Sequence, residues 1–153
     1  MDNDFTAQFA AGVAYGFSGR TEDFRDYLVG CMVDKNALTN RLNGVFKRYK
    51  NGKIEAGNEK MVETEPFWRV AMADCPDSNP WFDQFDSDIN TFLARDDWDD
   101  VAAANYAASQ DVVDLWWSNC LLTWNQGVYF NAGMFYGEIM AILGNVPSFT
   151  PIE

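Results

Sequence analysis

The chain contains no histidine among its 153 residues. The missing imidazole excludes Ser-His-Asp and Cys-His activation of a nucleophile, histidine-ligated zinc or haem, and imidazole acid–base catalysis near neutral pH. The sequence also has neither the G-x-x-x-x-G-K-[ST] loop nor the G-x-G-x-x-G motif of nucleotide-binding proteins. We therefore predict a protein that is not an enzyme and that has no catalytic residue, no metal site and no cofactor.

Lysine and arginine are scarce, and all 11 lie at or before Arg95. Residues 96–153 hold eight acidic residues and carry a net charge of −8, whereas residues 1–95 carry −4. The total of −12 opposes binding to nucleic acid, and we expect no nucleic-acid partner. An acidic, aromatic C-terminal half and a basic segment elsewhere favour ordered contact between copies of the chain or with another protein.

Cysteine is limited to three positions, Cys31, Cys75 and Cys120, which do not have the paired spacing of zinc ligands. The odd count leaves at least one thiol outside any disulfide. One bridge with one remaining thiol and three buried thiols are both compatible with the sequence. We favour three buried thiols, because free cysteine is among the most buried residue types.

Signals for export and membrane insertion are weak. The acidic residues at positions 2 and 4 stand where a secretory signal would be basic, so we expect no signal. The stretch from Leu121 to Leu143 is long enough to span a bilayer. Polar side chains interrupt it at four positions, including Glu138, and no lysine or arginine flanks it. We predict two buried helices there and no membrane span.

Apolar residues are abundant, at 48% of the chain, and aromatic residues reach 16%. This content is too high for a disordered chain and sufficient for one hydrophobic core. Helix start and stop residues recur with helical apolar spacing, and strand patterns are nearly absent. We predict an all-α fold: a compact bundle of about seven or eight short helices in a single domain, residues 1–153. The predicted helices cover 3–18, a segment from Thr21, 36–50, 64–75, a segment opening at Asn79-Pro80, 97–109, 111–121 and 126–143, with 53–63 as an exposed loop or frayed helix.

One octapeptide pattern, F-x-A-G-x-x-Y-G, occurs twice, at residues 9–16 and 130–137. In a helix the two glycines of each copy lie on one face. Glycine inside a helix costs about 0.5–1 kcal/mol relative to alanine, so four of them indicate a close backbone approach. We predict that the first and last helices pack together and that the chain ends are adjacent. The predicted packing or interface residues are Gly12, Tyr15, Gly16, Phe130, Gly133, Tyr136 and Gly137.

Several short features occur together along most of the chain. They are Gly16-Phe17-Ser18-Gly19, Cys31, Cys75, Phe85, Ile89, Asp97-Trp98, the run from Gly127 to Gly133, and Gly137. Together they resemble a family of small secreted, cysteine-containing helical proteins of single-celled eukaryotes. The resemblance implies a helical fold and an extracellular or secretory location, and it implies no activity.

Three charged clusters have weaker chemical interpretations. The run Asp86-Ser-Asp88-Ile-Asn90 mimics the start of a calcium loop, but Thr91 stands where that loop needs glycine. We predict a solvated helix face there. Acidic residues 96, 97, 99 and 100 suit a helix start better than a catalytic carboxylate pair. The segment from Arg41 to Lys60 holds six basic residues, which favours a solvated face or an acidic protein partner.

These observations favour a non-catalytic structural or protein–protein interaction protein. We expect a helical subunit of a larger assembly, homopolymeric or filamentous in one version, with the chain itself or other subunits as its partner. The alternative is a small-molecule or lipid carrier, in which aromatic helices enclose an apolar cavity. An extracellular or secretory compartment is favoured over the cytoplasm.

Overall fold

The structure is a computed structural model that describes residues 5–17, 23–75, 87 and 96–144. Within these residues the regular elements are helices, which confirms the predicted all-α bundle. Eight helices have their bounds within the described residues: α1 (Phe5–Phe17), α2 (Arg25–Cys31), α3 (Asn36–Lys50), α4 (Ile54–Glu63), α5 (Glu65–Ala71), α6 (Trp98–Ala108), α7 (Gln110–Asn125) and α8 (Tyr129–Gly144). The predicted helix opening at Asn79-Pro80 lies outside the described residues.

The most extensive contact among these helices joins α1 to α8, as predicted for the first and last helices. Both helices are rich in alanine and glycine, and both are buried over much of their circumference. Small side chains let two helix backbones approach closely, so packing here comes from main-chain contact rather than from large interdigitating side chains. The pair forms the centre of the described fold, and α7 packs against α8 from outside.

The repeated motif places its four glycines between α1 and α8. A methyl group added at Gly12 would overlap the Phe130 carbonyl oxygen, and one added at Gly133 would overlap the Phe9 carbonyl oxygen. Since Phe9 and Phe130 are equivalent positions of the motif, the two contacts mirror each other. The second glycines repeat the relation: Gly16 faces the Met134 carbonyl and Gly137 faces the Val13 carbonyl. The two motif copies therefore meet with approximate twofold symmetry.

The facing residue numbers rise together along both helices, so α1 and α8 run parallel. Phe5, which begins α1, stacks against Tyr129, which begins α8, with ring centroids 4.7 Å apart. A 16-residue helix is about 24 Å long, so Gly144 at the end of α8 lies far from Phe5. The chain ends, which were predicted to be adjacent, lie outside the described residues. Within the described pair, Phe5 and Gly144 lie at opposite ends because the two helices are parallel.

Helix α3 supplies the second layer of the core. Its buried residues recur at helical spacing: Leu38, Leu42, Val45, Phe46 and Tyr49. The Phe46 ring stacks on Trp124 of α7 with centroids 3.8 Å apart, and the Tyr49 ring meets Trp117 edge-on at 4.6 Å. Helix α7 therefore packs against α3 through aromatic side chains. It also packs against α8.

Residues 54–63 form α4, whereas the sequence indicated an exposed loop or frayed helix. Most α4 side chains are exposed, and Gly57 is the buried residue of the helix. A methyl group at Gly57 would overlap the Tyr49 ring, so the missing side chain lets that ring lie against the α4 backbone. The Tyr49 hydroxyl also donates to Asn58 Oδ1 at 2.7 Å. These two contacts to α3 hold a helix whose own sequence has a weak apolar face.

Cys31 and Cys75 form a disulfide, and Cys120 is a buried free thiol. The prediction of three buried thiols, which we favoured from the sequence, is therefore wrong. The alternative that the sequence also allowed, one bridge and one free thiol, is the arrangement in the structure. The bridge joins the end of α2 to the segment after α5 and spans 44 residues. Residue spacing could not reveal this pairing, because it depends on how α3, α4 and α5 fold back.

We predict that Gly133→Ala destabilises the protein by about 1–3 kcal/mol, the usual cost of overpacking a close contact. Gly30→Ala is the matched control, because a methyl group at that helical glycine meets nothing within 4 Å. The control should gain about 0.5–1 kcal/mol from helix propensity. Urea unfolding of both variants gives the comparison, and equal gains at the two sites would contradict the close-packing interpretation.

We predict that the paired substitution Cys31→Ser and Cys75→Ser lowers the free energy of unfolding by about 4 kcal/mol, as the loop-entropy relation gives for this loop length. Dithiothreitol should destabilise the wild type and Cys120→Ala, and should leave the double serine variant unchanged. Thiol counting by mass spectrometry without reductant should give one reactive thiol after denaturation. Three reactive thiols in that sample would contradict the bridge.

Candidate functional site

The predicted packing residues separate into two groups in the structure. The glycines and Phe130 lie along the α1–α8 contact, where the tilted rings of Phe130 and Tyr15 have centroids 5.4 Å apart. The Arg25 guanidinium covers the Phe130 ring at 4.1 Å from its centroid. Tyr136, the motif's second tyrosine, instead points toward α3, with its hydroxyl 3.0 Å from that of Tyr49. The glycines of the motif therefore pack the two helices together, and its second tyrosine makes a polar contact in the core.

Tyr49 connects this polar contact into a short chain of hydrogen bonds. The single Tyr49 proton is donated to Asn58 Oδ1, so the Tyr136 hydroxyl must donate to the Tyr49 oxygen. Burial raises the pKa of Tyr49 well above its ordinary value, and the adjacent Tyr136 raises it further. Burial likewise raises the pKa of Tyr136. Both hydroxyls thus remain protonated and act as structural donors in the folded state.

Cys120, the thiol outside the disulfide, lies on the packed face of α7. It is fully buried and donates to the Ala132 carbonyl oxygen of α8, with sulfur and oxygen 3.3 Å apart. Burial raises the pKa of this thiol, so it stays in the protonated form, which is a poor nucleophile. The geometry makes Cys120 part of the α7–α8 packing.

The charged clusters are mainly on the surface. Asp96, Asp97 and Asp100 are exposed near the start of α6, the position at which acidic residues complement a helix dipole. Among the described residues, no three acidic, cysteine or histidine side chains come close enough together to hold a metal ion. The calcium-like run at residues 86–90 lies outside the described part, apart from Ser87.

Helix α7 has a second apolar face that the sequence analysis missed. Three aliphatic side chains of α7 are exposed: Val112 (43%), Leu115 (59%) and Leu122 (54%). Their spacing of three and seven residues places them on one face of the helix. The packed face of α7, which includes Trp117 and Cys120, lies on the other side of the helix. Apolar residues at two opposite faces of one helix are the signal that could have revealed this face from the sequence.

We call this surface the α7 face and define it by Asp111, Val112, Leu115, Asn119 and Leu122. It includes one acidic residue, Asp111, and a second, Asp114, borders it. Asp111 is exposed beside Leu115 on the helix surface. Asp114 is also exposed and accepts a hydrogen bond of 2.7 Å from the Tyr106 hydroxyl of α6. That hydrogen bond raises the pKa of Tyr106. Asn105 of α6 in turn donates to the Leu143 carbonyl at 2.8 Å, so α6 and α7 are both fixed to α8.

No protein family, curated protein or solved structure matches the chain significantly. No helix among the described residues has both the length and the apolar character that crossing a membrane requires. The site must therefore be interpreted from its own side chains. These side chains form an aligned, exposed aliphatic face with an acidic border, on a helix that its neighbours hold in place.

We predict that raising the pH destabilises the protein through Tyr49 and Tyr136. Their folded-state pKa values are raised, so the stabilisation is complete below the ordinary tyrosine value of 10.0 and is lost as pH rises above it. Between pH 10 and 11 the two groups should together remove about 2 kcal/mol from the free energy of unfolding. The double variant Tyr49→Phe and Tyr136→Phe should lack that part of the pH dependence. Identical slopes for the variant and the wild type would contradict the assignment.

Proposed function

We propose that this protein is a non-catalytic interaction protein, a helical subunit that assembles with copies of itself or with other subunits. The observation that carries the proposal is the α7 face. Three large aliphatic side chains lie exposed in one line, although the helix that bears them is firmly packed. Single exposed apolar residues are ordinary, whereas an aligned set with a polar border is typical of a binding surface.

The chemistry of the interior supports a structural role. Three of the polar groups in the interior, Tyr49, Tyr136 and Cys120, are held in their protonated forms and are engaged in hydrogen bonds. Nucleophilic and acid–base catalysis need a group whose pKa lies near the working pH or is depressed. These three groups are shifted in the opposite direction, which favours packing over catalysis.

A carrier function receives less support from the aromatic residues. The rings of Phe9, Phe46 and Trp124 contact one another with centroids 3.8–5.5 Å apart. Tyr49, Trp117 and Tyr136 continue the same cluster. Rings at these separations use their surfaces against each other, so this part of the aromatic surplus stabilises the core.

The disulfide supports a secretory or extracellular location for the assembly. Disulfides persist in oxidising compartments and are uncommon in the reducing cytosol. The Cys31–Cys75 bridge closes a 44-residue separation that contains three helices, so its loss would loosen a large part of the fold. A protein that depends on such a bridge suits an oxidising environment.

We predict that the purified protein associates as its concentration rises from micromolar to millimolar, measured by size-exclusion chromatography with light scattering. The double substitution Leu115→Gln and Leu122→Gln should shift association to at least tenfold higher concentration, because it removes the exposed aliphatic surface while keeping good helix formers. Val33→Gln with Val70→Gln is the matched control, since both valines are more than half exposed elsewhere.

A strict monomer at every concentration and at both low and high salt would contradict self-assembly. Association that the control weakens as much as the α7 variant does would contradict the assignment of the surface. Circular dichroism of each variant establishes that the fold is intact, since all four substituted positions are exposed.

A further inference from the structure

The described surface contains a basic counterpart to the α7 face. Residues 35–54 hold six lysines and arginines and no acidic residue, and residues 96–153 hold the reverse composition, acids without a base. Lys47, Lys50 and Lys53 are exposed at the end of α3 and just beyond it. None of the three makes an ion pair within the described part of the chain, where the ion pairs are Arg25–Asp23 and Arg69–Glu65.

An exposed apolar side chain lies next to these lysines in the sequence. The arrangement is the counterpart of the α7 face, where acidic side chains lie next to apolar ones. Ile54 follows Lys53 directly at the start of α4 and is 39% exposed. On α3, Lys47 lies on the face opposite the buried Leu42 and Tyr49, and Lys50 lies to the side of that face, at the end of the helix. We call Lys47, Lys50, Lys53 and Ile54 the α3 face.

We infer that the α7 face of one copy binds the α3 face of a second copy of this chain. The inference rests on the proposed function and names its partner. Asp111 and Asp114 then lie opposite the lysines, and Leu115 lies over the apolar part around Ile54. Charge complementarity selects this pairing over contact between two α7 faces, which would bring aspartates together.

One copy cannot join its own two faces. Helices α3 and α7 pack toward each other through the Phe46–Trp124 and Tyr49–Trp117 contacts. The α7 face lies opposite Trp117 and Trp124, and Lys47 lies on the side of α3 opposite Tyr49, so the surfaces around them point away from each other. Each copy keeps one free face of each kind after binding a neighbour, so the contact is head-to-tail and either closes into a ring or continues as a filament.

The size of the contact sets its strength. Helix α7 has 16 residues and is about 24 Å long, so one of its faces covers much less than the roughly 800 Å² per partner of a standard interface. Each contact is accordingly weak and becomes populated at high protein concentration. Because exposed charges contribute to it, the contact weakens as salt screens them.

Two variants, each lacking one face, test the head-to-tail arrangement. The first is the α7 variant, Leu115→Gln with Leu122→Gln. The second is the α3 variant, Lys47→Gln with Lys50→Gln and Lys53→Gln. Its matched control is Asn36→Glu with Asn40→Glu and Asn43→Glu, which makes the net charge more negative by the same three units at exposed positions of the same helix.

Each variant alone should associate at least tenfold more weakly than the wild type, and the asparagine control should associate like the wild type. A mixture of the two variants should form a complex of one copy of each, because the α7 variant keeps its α3 face and the α3 variant keeps its α7 face. Sedimentation velocity at a concentration where each variant alone is monomeric gives the mass. A one-to-one complex that does not grow further supports the inference.

Four other results would overturn the inference. An α3 variant that associates as the wild type does leaves the proposed self-assembly standing but removes the α3 face as the partner. Variants that stay monomeric when mixed exclude complementary faces, and the same conclusion follows if the asparagine control is equally weakened. A wild type that is monomeric throughout contradicts the proposed function itself and, with it, the inference.

Discussion

The close parallel crossing of α1 and α8 is the contact on which the rest of the fold depends. Its glycines bring each helix against carbonyl oxygens of the other, in pairs related by the repeated motif. Glycine weakens an isolated helix, so neither α1 nor α8 is favoured by propensity alone. The contact between the two helices offsets this cost through dispersion over a long, closely packed backbone surface. Helix α2 packs against α1, α6 packs against α8, and α7 packs against α8 and reaches α1 through Trp124.

The aromatic residues form a second core between α3, α7 and α8, and its organisation differs from that of the glycine crossing. Large rings fill the volume, with Phe46 stacked flat on Trp124 and other pairs meeting edge-on. Two tyrosine hydroxyls at the edge of this cluster reach α4 through Asn58. The same tyrosine that fills the core therefore positions a helix that has little apolar surface of its own. The disulfide then ties the end of α2 to the segment after α5.

Helix α7 links this interior to the surface. One of its faces carries Trp117 and Cys120 into the core, and the opposite face presents leucines to solvent. Because the inner face is fixed by packing, the outer face is displayed on a rigid support, which suits the binding proposed for it. The separation of charge along the chain corresponds to two different surfaces of the structure. The all-acidic segment borders the α7 face, and the acid-free segment ends beside α4.

The sequence by itself determined the helical class, most helix positions and the pairing of α1 with α8, because apolar periodicity and glycine spacing are local properties of the chain. It also indicated that no histidine chemistry is available. It did not determine the direction of the α1–α8 pair, since Gly12 and Gly133 would face each other in either orientation. The tertiary structure decided three features: the Cys31–Cys75 bridge, the formation of helix α4 and the exposure of Leu115. Each of these depends on which surfaces meet after distant segments pack. Leu121 and Leu122, for example, are adjacent in the chain, but Leu121 packs against the core and Leu122 is exposed.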